Sequence, residues 1–134
     1  MTILPPRPAC SRSGRVRRTK RPSVIFERFQ TAVVPFPFAD VAVLKRRPVV
    51  VLSGAEFNGR NGTTLAAMIT TAKQTSWPSD IEIRDLESAG LRTPCVIRMR
   101  LVTMPNGLFL RGLGRLGALD RLACERAVAE MLVG

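Results

Sequence analysis

The chain has 134 residues, 21 Lys and Arg against 10 Asp and Glu, and neither His nor Tyr, for a formal net charge of +11. The length fits one domain with a modest core, and 46% hydrophobic residues mark the chain as globular. The lack of histidine excludes His acid–base catalysis, Ser-His and Cys-His nucleophiles and nearly every catalytic zinc site, while the positive charge makes a polyanion, above all nucleic acid, the default partner.

The charge is unevenly spread. Residues 1–26 hold seven basic residues (Arg7, Arg12, Arg15, Arg17, Arg18, Lys20, Arg21) and no acid, whereas residues 27–134 hold 14 basic and 10 acidic ones, leaving the body at only +4. With Pro5, Pro6, Pro8 and Pro22 and little apolar periodicity, residues 1–25 read as a disordered basic arm before a domain over 26–134. A secretory signal would need an apolar stretch after the basic one, and the prolines spoil the amphipathic helix of a transit peptide. A rarely translated segment stays open, although the next Met is Met68. No apolar run reaches the roughly 18 residues of a membrane span. Cys10, Cys95 and Cys124 are odd in number and widely spaced, which suits a reducing cytoplasm, with Cys95 and Cys124 as small core residues.

Thr31–Phe38 is β-rich, but Pro35 and Pro37 restrict it to an edge, a bulge or a strand end. Phe36 and Phe38 are expected in the core. A loop over Ala39–Lys45 leads to the short apolar run Pro48–Leu52, which reads as a buried strand. Gly54–Gly62 carries three glycines and reads as a loop; its spacing mimics a phosphate loop, but Arg60 and Asn61 replace the diagnostic Lys and Ser/Thr. Thr64–Thr71 is a further strand, Lys73–Ser79 is irregular, and Asp80–Arg84 alternates as a half-exposed strand. Ala89-Gly90-Leu91 marks a turn. Cys95–Val102 is a strand with Arg98 and Arg100 on one face, and Pro105-Asn106-Gly107 predicts a hairpin turn returning through Leu108–Leu116. The tail is a helix, with Cys124, Ala127, Val128, Met131 and Leu132 on its packing face. Short strands with one closing helix predict a small, strongly bent sheet or barrel.

Three stretches, Val33–Asp40, Lys45–Ser53 and Ala67–Thr71, together resemble the N-terminal signature of the PemK/MazF toxin family. Trp77–Asp80, Ala89–Leu91, Val96–Met99 and Leu110–Leu116 are similar to the rest in the right order, so the resemblance covers about Phe26 to Gly134. It implies an SH3-like β-barrel with a C-terminal helix, usually a homodimer, working in the cytoplasm as the toxin of a type II toxin–antitoxin system. It implies metal-independent and cofactor-free endoribonuclease cleavage of single-stranded RNA, and a small acidic antitoxin, encoded upstream, whose flexible segment occupies the RNA groove. Their complex would bind operator DNA. The family's arginine before the proline falls on Arg47, its strand-end threonine on Thr70, and its second strand arginine on Arg98.

These residue types suit the chemistry. A guanidinium presents planar, bidentate donors to phosphate oxygens, so Arg47 fits transition-state stabilisation, with Thr70 adding a hydroxyl hydrogen bond. Lys45, Arg46, Thr71, Lys73, Trp77, Arg98 and Arg100 are candidate RNA contacts, Trp77 by stacking a base, although a lone Trp before Pro is more often core packing. The family often has an acid two positions after the strand arginine, where this chain has Arg100, and Asp40 and Asp80 are substitute candidate bases. Where the family opens its first strand with Gly-Asp or Gly-Glu, this chain has Phe29-Gln30. A non-catalytic reading on the same barrel, as a topoisomerase inhibitor or a decayed toxin, stands as the alternative; a small ribosome-associated barrel explains the charge but not Arg47-Pro48 with Thr70.

Overall fold

The computed structural model describes residues 24–36, 45–72 and 76–134. Runs rich in Val, Ile and Thr form the strands β1 (Gln30–Phe36), β2 (Lys45–Val51), β3 (Thr63–Thr71), β4 (Ile81–Glu82), β5 (Cys95–Pro105) and β6 (Arg111–Arg115). Helix α1 (Ala55–Asn61) joins β2 to β3, and α2 (Ala118–Val133) closes the chain. The strands form one antiparallel sheet in the order β4-β5-β3-β2-β1-β6. It curls into a half-barrel with α2 packed on it, the small bent sheet and terminal helix expected. Register shifts at Thr31/Ala32 against β6 and at Ala67/Met68 against β5 supply the bending.

Alternation sorts the strand residues into two cores. Val50, Ala67, Ile69 and Ile97 face Cys124 of α2 and Ala89 of the preceding turn. Val34, Val49, Ala66, Met68 and Met104 pack on the opposite face. Cys95 and Cys124 are buried, free thiols, as expected; burial raises both, Cys124 to about 11, so neither is a ready nucleophile.

Pro35 falls at a strand end, as the sequence reading allowed: β1 lies between β2 and β6, but β6 pairs only with Gln30–Val33 and leaves that end one-sided. The structure departs from the sequence reading at other points. The Gly54–Gly62 stretch is a helix rather than a loop: two of its glycines are caps, Gly54 extended at the N-cap and Gly62 left-handed (φ 72°) at the C-cap. Asn58 makes this short helix worthwhile. It is fully buried, its Nδ2 donates to the carbonyls of Phe26 (2.9 Å) and Ser53 (3.2 Å), and Ser53 donates to its Oδ1 at 2.5 Å.

The predicted hairpin is absent. Asn106–Leu108 is a 3-10 turn, and β6 pairs with β1 rather than with β5. Asn106 is buried, donating to Asn58 O at 2.8 Å and accepting from Thr64 Oγ1 at 2.6 Å. That amide ties the turn to α1 and β3, and Leu110 N–H then bonds Val33 O at 2.8 Å, carrying the chain to the far edge of the sheet. On α2, Cys124, Ala127 and Val128 pack as predicted, whereas Met131 and Leu132 are exposed because the last turn overhangs the sheet. The 1–23 segment, residues 37–44 and residues 73–75 lie outside the described residues, and with them the arm, Phe38 and the loop before β2.

Candidate functional site

β2 runs from solvent into the core: Lys45 and Arg46 are exposed, Arg47 is half-buried with its Nε enclosed, and Val49, Val50 and Val51 are buried. The β2–β3 ladder pairs Val49 with Met68, and the same register carried two residues further sets Arg47 level with Thr70. Across β3–β5, Met68 pairs with Arg98 and Thr70 with Val96, so Arg47, Thr70 and Arg98 share one face of the sheet. Thr70 is half-buried and Thr71 exposed. Glu82, paired with Val96 from the edge strand β4, adds an exposed carboxylate to the same face. Only the strand register reveals it; its sequence context reads simply as an alternating strand.

A cleft of about 680 Å³ opens at the end of β2. Arg46, Arg47, Arg92 and Arg111 border it, together with apolar Val33, Leu91, Leu110 and Leu113, and none of the described residues lining it is acidic. Arg111 lies opposite Val33, and Val33 opposite Pro48, which brings β6 and β2 to the same wall. The facing wall depends on Gly90. At φ 73° it turns the chain so closely onto β6 that a Cβ there would fall 2.3 Å from Leu113 O. Four guanidinium groups gathered at one cleft make an anion-attracting pocket. Sequence reasoning missed Arg92 and Arg111 as site residues, although Arg92 directly follows, and Arg111 lies within, a stretch that carries the resemblance.

Trp77, Asp80 and Arg98 form a second assembly. Arg98 Nε and Nη2 donate to Asp80 Oδ1 (3.0 Å) and Oδ2 (2.8 Å), a two-point fork with both side chains about nine-tenths buried. Trp77 N–H donates to Asp80 Oδ2 at 2.9 Å, and the Arg98 Cζ lies 5.3 Å from the Trp77 ring centroid. Trp77 itself is 40% exposed, so it is not the core residue its setting before proline favours. The Arg98 guanidinium, as hydrogen-bond donor, holds the Asp80 carboxyl below its ordinary value of 3.8, with the Trp77 N–H adding to the effect. A carboxyl lowered on folding stabilises the folded state above its ordinary pKa, and that stability is lost as pH falls through the lowered value. The wild-type chain should therefore lose melting temperature below about pH 4, and Asp80→Asn should flatten that acid limb, as thermal melts between pH 2.5 and 6 would reveal.

Of the remaining candidates, Arg100 is exposed in an arch where the β3–β5 register jumps from Met68–Arg98 to Ala67–Leu101, while Asp40 and Lys73 lie outside the described residues. Among the described residues, no helix is long and apolar enough to cross a membrane, and no three His, Cys, Asp or Glu side chains group where they could hold a metal ion.

The curled sheet and closing helix are the fold of solved MazF toxin structures. The structure of MazF from Deinococcus radiodurans superposes with a TM-score of 0.66 at 18% identity, over 83% of this chain and 99% of that one. A mycobacterial endoribonuclease in complex with its cognate antitoxin gives 0.62 at 18%, over 80% and 94%, and the Mycobacterium tuberculosis toxin MazF-mt6 gives 0.60 at 21%, over 75% and 93%. No curated protein sequence matches the chain. Residues 27–132 match the PemK-like, MazF-like toxins of type II toxin–antitoxin systems, and the chain belongs to that family.

Proposed function

We propose that the chain is a metal-independent endoribonuclease that cuts single-stranded RNA, mRNA in particular, and so arrests translation and growth. The observation that carries this reading is the cleft bordered by Arg46, Arg47, Arg92 and Arg111, with Arg47 level with Thr70 when the β2–β3 register is carried two residues past Val49. In the reaction the substrate's 2′-oxygen attacks the adjacent phosphorus, its proton passes to a base, and the bond to the 5′-oxygen breaks as that oxygen takes up a proton. The products are a 2′,3′-cyclic phosphate and a 5′-hydroxyl. Arg47 stabilises the charge on the phosphoryl oxygens and Thr70 donates a hydroxyl hydrogen bond. Lys45, Arg46, Thr71, Lys73 and Arg100 hold the backbone by charge or hydrogen bonding.

Asp80 is a weak proton acceptor while Arg98 forks it, so Asp40 and Glu82 are the better carboxylates for the base. The antitoxin is proposed as a small acidic protein encoded upstream, whose carboxylates compete with phosphate for the arginines. The active chain is proposed as a homodimer, and operator DNA as a ligand of the toxin–antitoxin complex. That the mycobacterial neighbour is an endoribonuclease with its cognate antitoxin supports both the activity and the partner.

The test is incubation of the full chain with single-stranded RNA in excess EDTA. Cyclic-phosphate ends on cut RNA, with the matching DNA intact, are expected. Saturable RNA binding without any cut product under any condition would favour the non-catalytic reading instead.

A further inference from the structure

We infer that Trp77, held by Asp80 and Arg98, is a stacking subsite for an unpaired nucleobase of the RNA; the inference rests on the ribonuclease reading above. A tryptophan 40% exposed on a small domain leaves much apolar area in water, and Ser76, Pro78 and Ser79 beside it in the chain are exposed as well. Yet the ring is not left to swing. Trp77 N–H donates to Asp80 Oδ2 and Asp80 N–H donates to Trp77 O, both at 2.9 Å, closing a four-residue turn that Pro78 stiffens. The Arg98 guanidinium grips both Asp80 oxygens and lies 5.3 Å from the ring centroid, backing one side of the indole.

A flat π-surface that is oriented, backed by a cation and open to solvent offers an ordered platform for another flat π-system, and a base that stacks there need not first order the ring. Arg98 shares its sheet face with Thr70 and Arg47, which puts the platform on the side of the sheet where the cleaved phosphate would lie. Arg98 and Asp80 are then positioning residues: the guanidinium serves the carboxylate and the ring rather than the phosphate.

The chain's single tryptophan makes the test direct. A mixed-sequence single-stranded RNA, 2′-O-methylated so that it cannot be cut, is titrated against the full chain while Trp77 emission is followed. Saturable quenching is expected in the unmutated chain; binding of a dye-labelled copy of the same RNA, read by anisotropy, should weaken by about 5- to 150-fold in Trp77→Ala and be mostly recovered in Trp77→Phe. Asp80→Asn should shift the emission and weaken binding while leaving the shape of the pH profile for cleavage of unmodified RNA unchanged. Saturable binding with unaltered emission and no loss in Trp77→Ala overturns the subsite even when RNA is cut. Quenching of Trp77 together with weakened anisotropy binding in Trp77→Ala, but no cleavage of unmodified RNA, keeps the subsite and overturns only the ribonuclease reading. Loss of the acid limb of the cleavage profile in Asp80→Asn makes Asp80 the base and overturns its positioning role.

Discussion

Arg47→Ala is expected to lower RNA cleavage by about 10²–10³-fold, the usual consequence of removing one preorganised donor from a developing oxyanion. The loss should fall on kcat more than on KM, because Arg46, Arg92 and Arg111 remain at the cleft to hold the strand. Arg47→Lys should recover only part of the rate, since an ammonium keeps the charge but not the planar fork. Arg47 pairs with Val34 of β1 through its backbone, which the substitution keeps, so the fold should survive it, and a melting curve on the same sample would establish that. Full activity in Arg47→Ala would remove Arg47 from the reaction.

Gly114→Ala should be the most damaging small change in the sheet. A Cβ at position 114 would fall 2.2 Å from Ser88 O, the oxygen that accepts the Arg115 N–H at 2.9 Å. Neither backbone can withdraw without breaking that bond, which ties β6 to the turn before Gly90 and thereby shapes the cleft wall. A loss of about 3 kcal/mol, at the upper end of overpacking costs, corresponds to a fall in melting temperature of about 10–13 °C for a chain of this length. Gly59→Ala is the matched control. Nothing lies within 4 Å of its added Cβ and it sits inside α1, so its melting temperature should hold or rise slightly. Equal effects at the two positions would refute the packing argument.

Much of the fold was legible because its strands are written in β-branched runs. Pro48–Leu52, Thr64–Thr71 and Cys95–Val102 correspond to β2, β3 and β5, and the ordered motifs around them carried the family resemblance. What stayed hidden depends on contacts between distant residues. Glycine at 54, 59 and 62 reads as loop until buried Asn58 supplies a reason for a helix, and Asn106-Gly107 reads as a hairpin until Asn106 proves to bond α1 and β3. Arg92 and Arg111 are ordinary surface arginines in the sequence and become neighbours of Arg46 only when β6 pairs with β1.

Phe29 shows the opposite case. The resemblance leads one to expect glycine there, and Phe29 has φ 73°, a left-handed conformation that is costly for a bulky residue. It is held in place by burial, by the N–H to Val51 O at 2.7 Å, and by the Arg28 guanidinium 4.6 Å from its ring.

The jump in register along β5 bears on how the chain can diverge. Between Arg98 and Leu101 two residues have no counterpart on β3, so Met99 and Arg100 bow out of the ladder. A change of side chain at position 100 leaves the pairing of Met68 with Arg98 and of Ala67 with Leu101 in place, because neither pair passes through it. Arg98, one step inside the ladder and forked onto Asp80, has no such freedom.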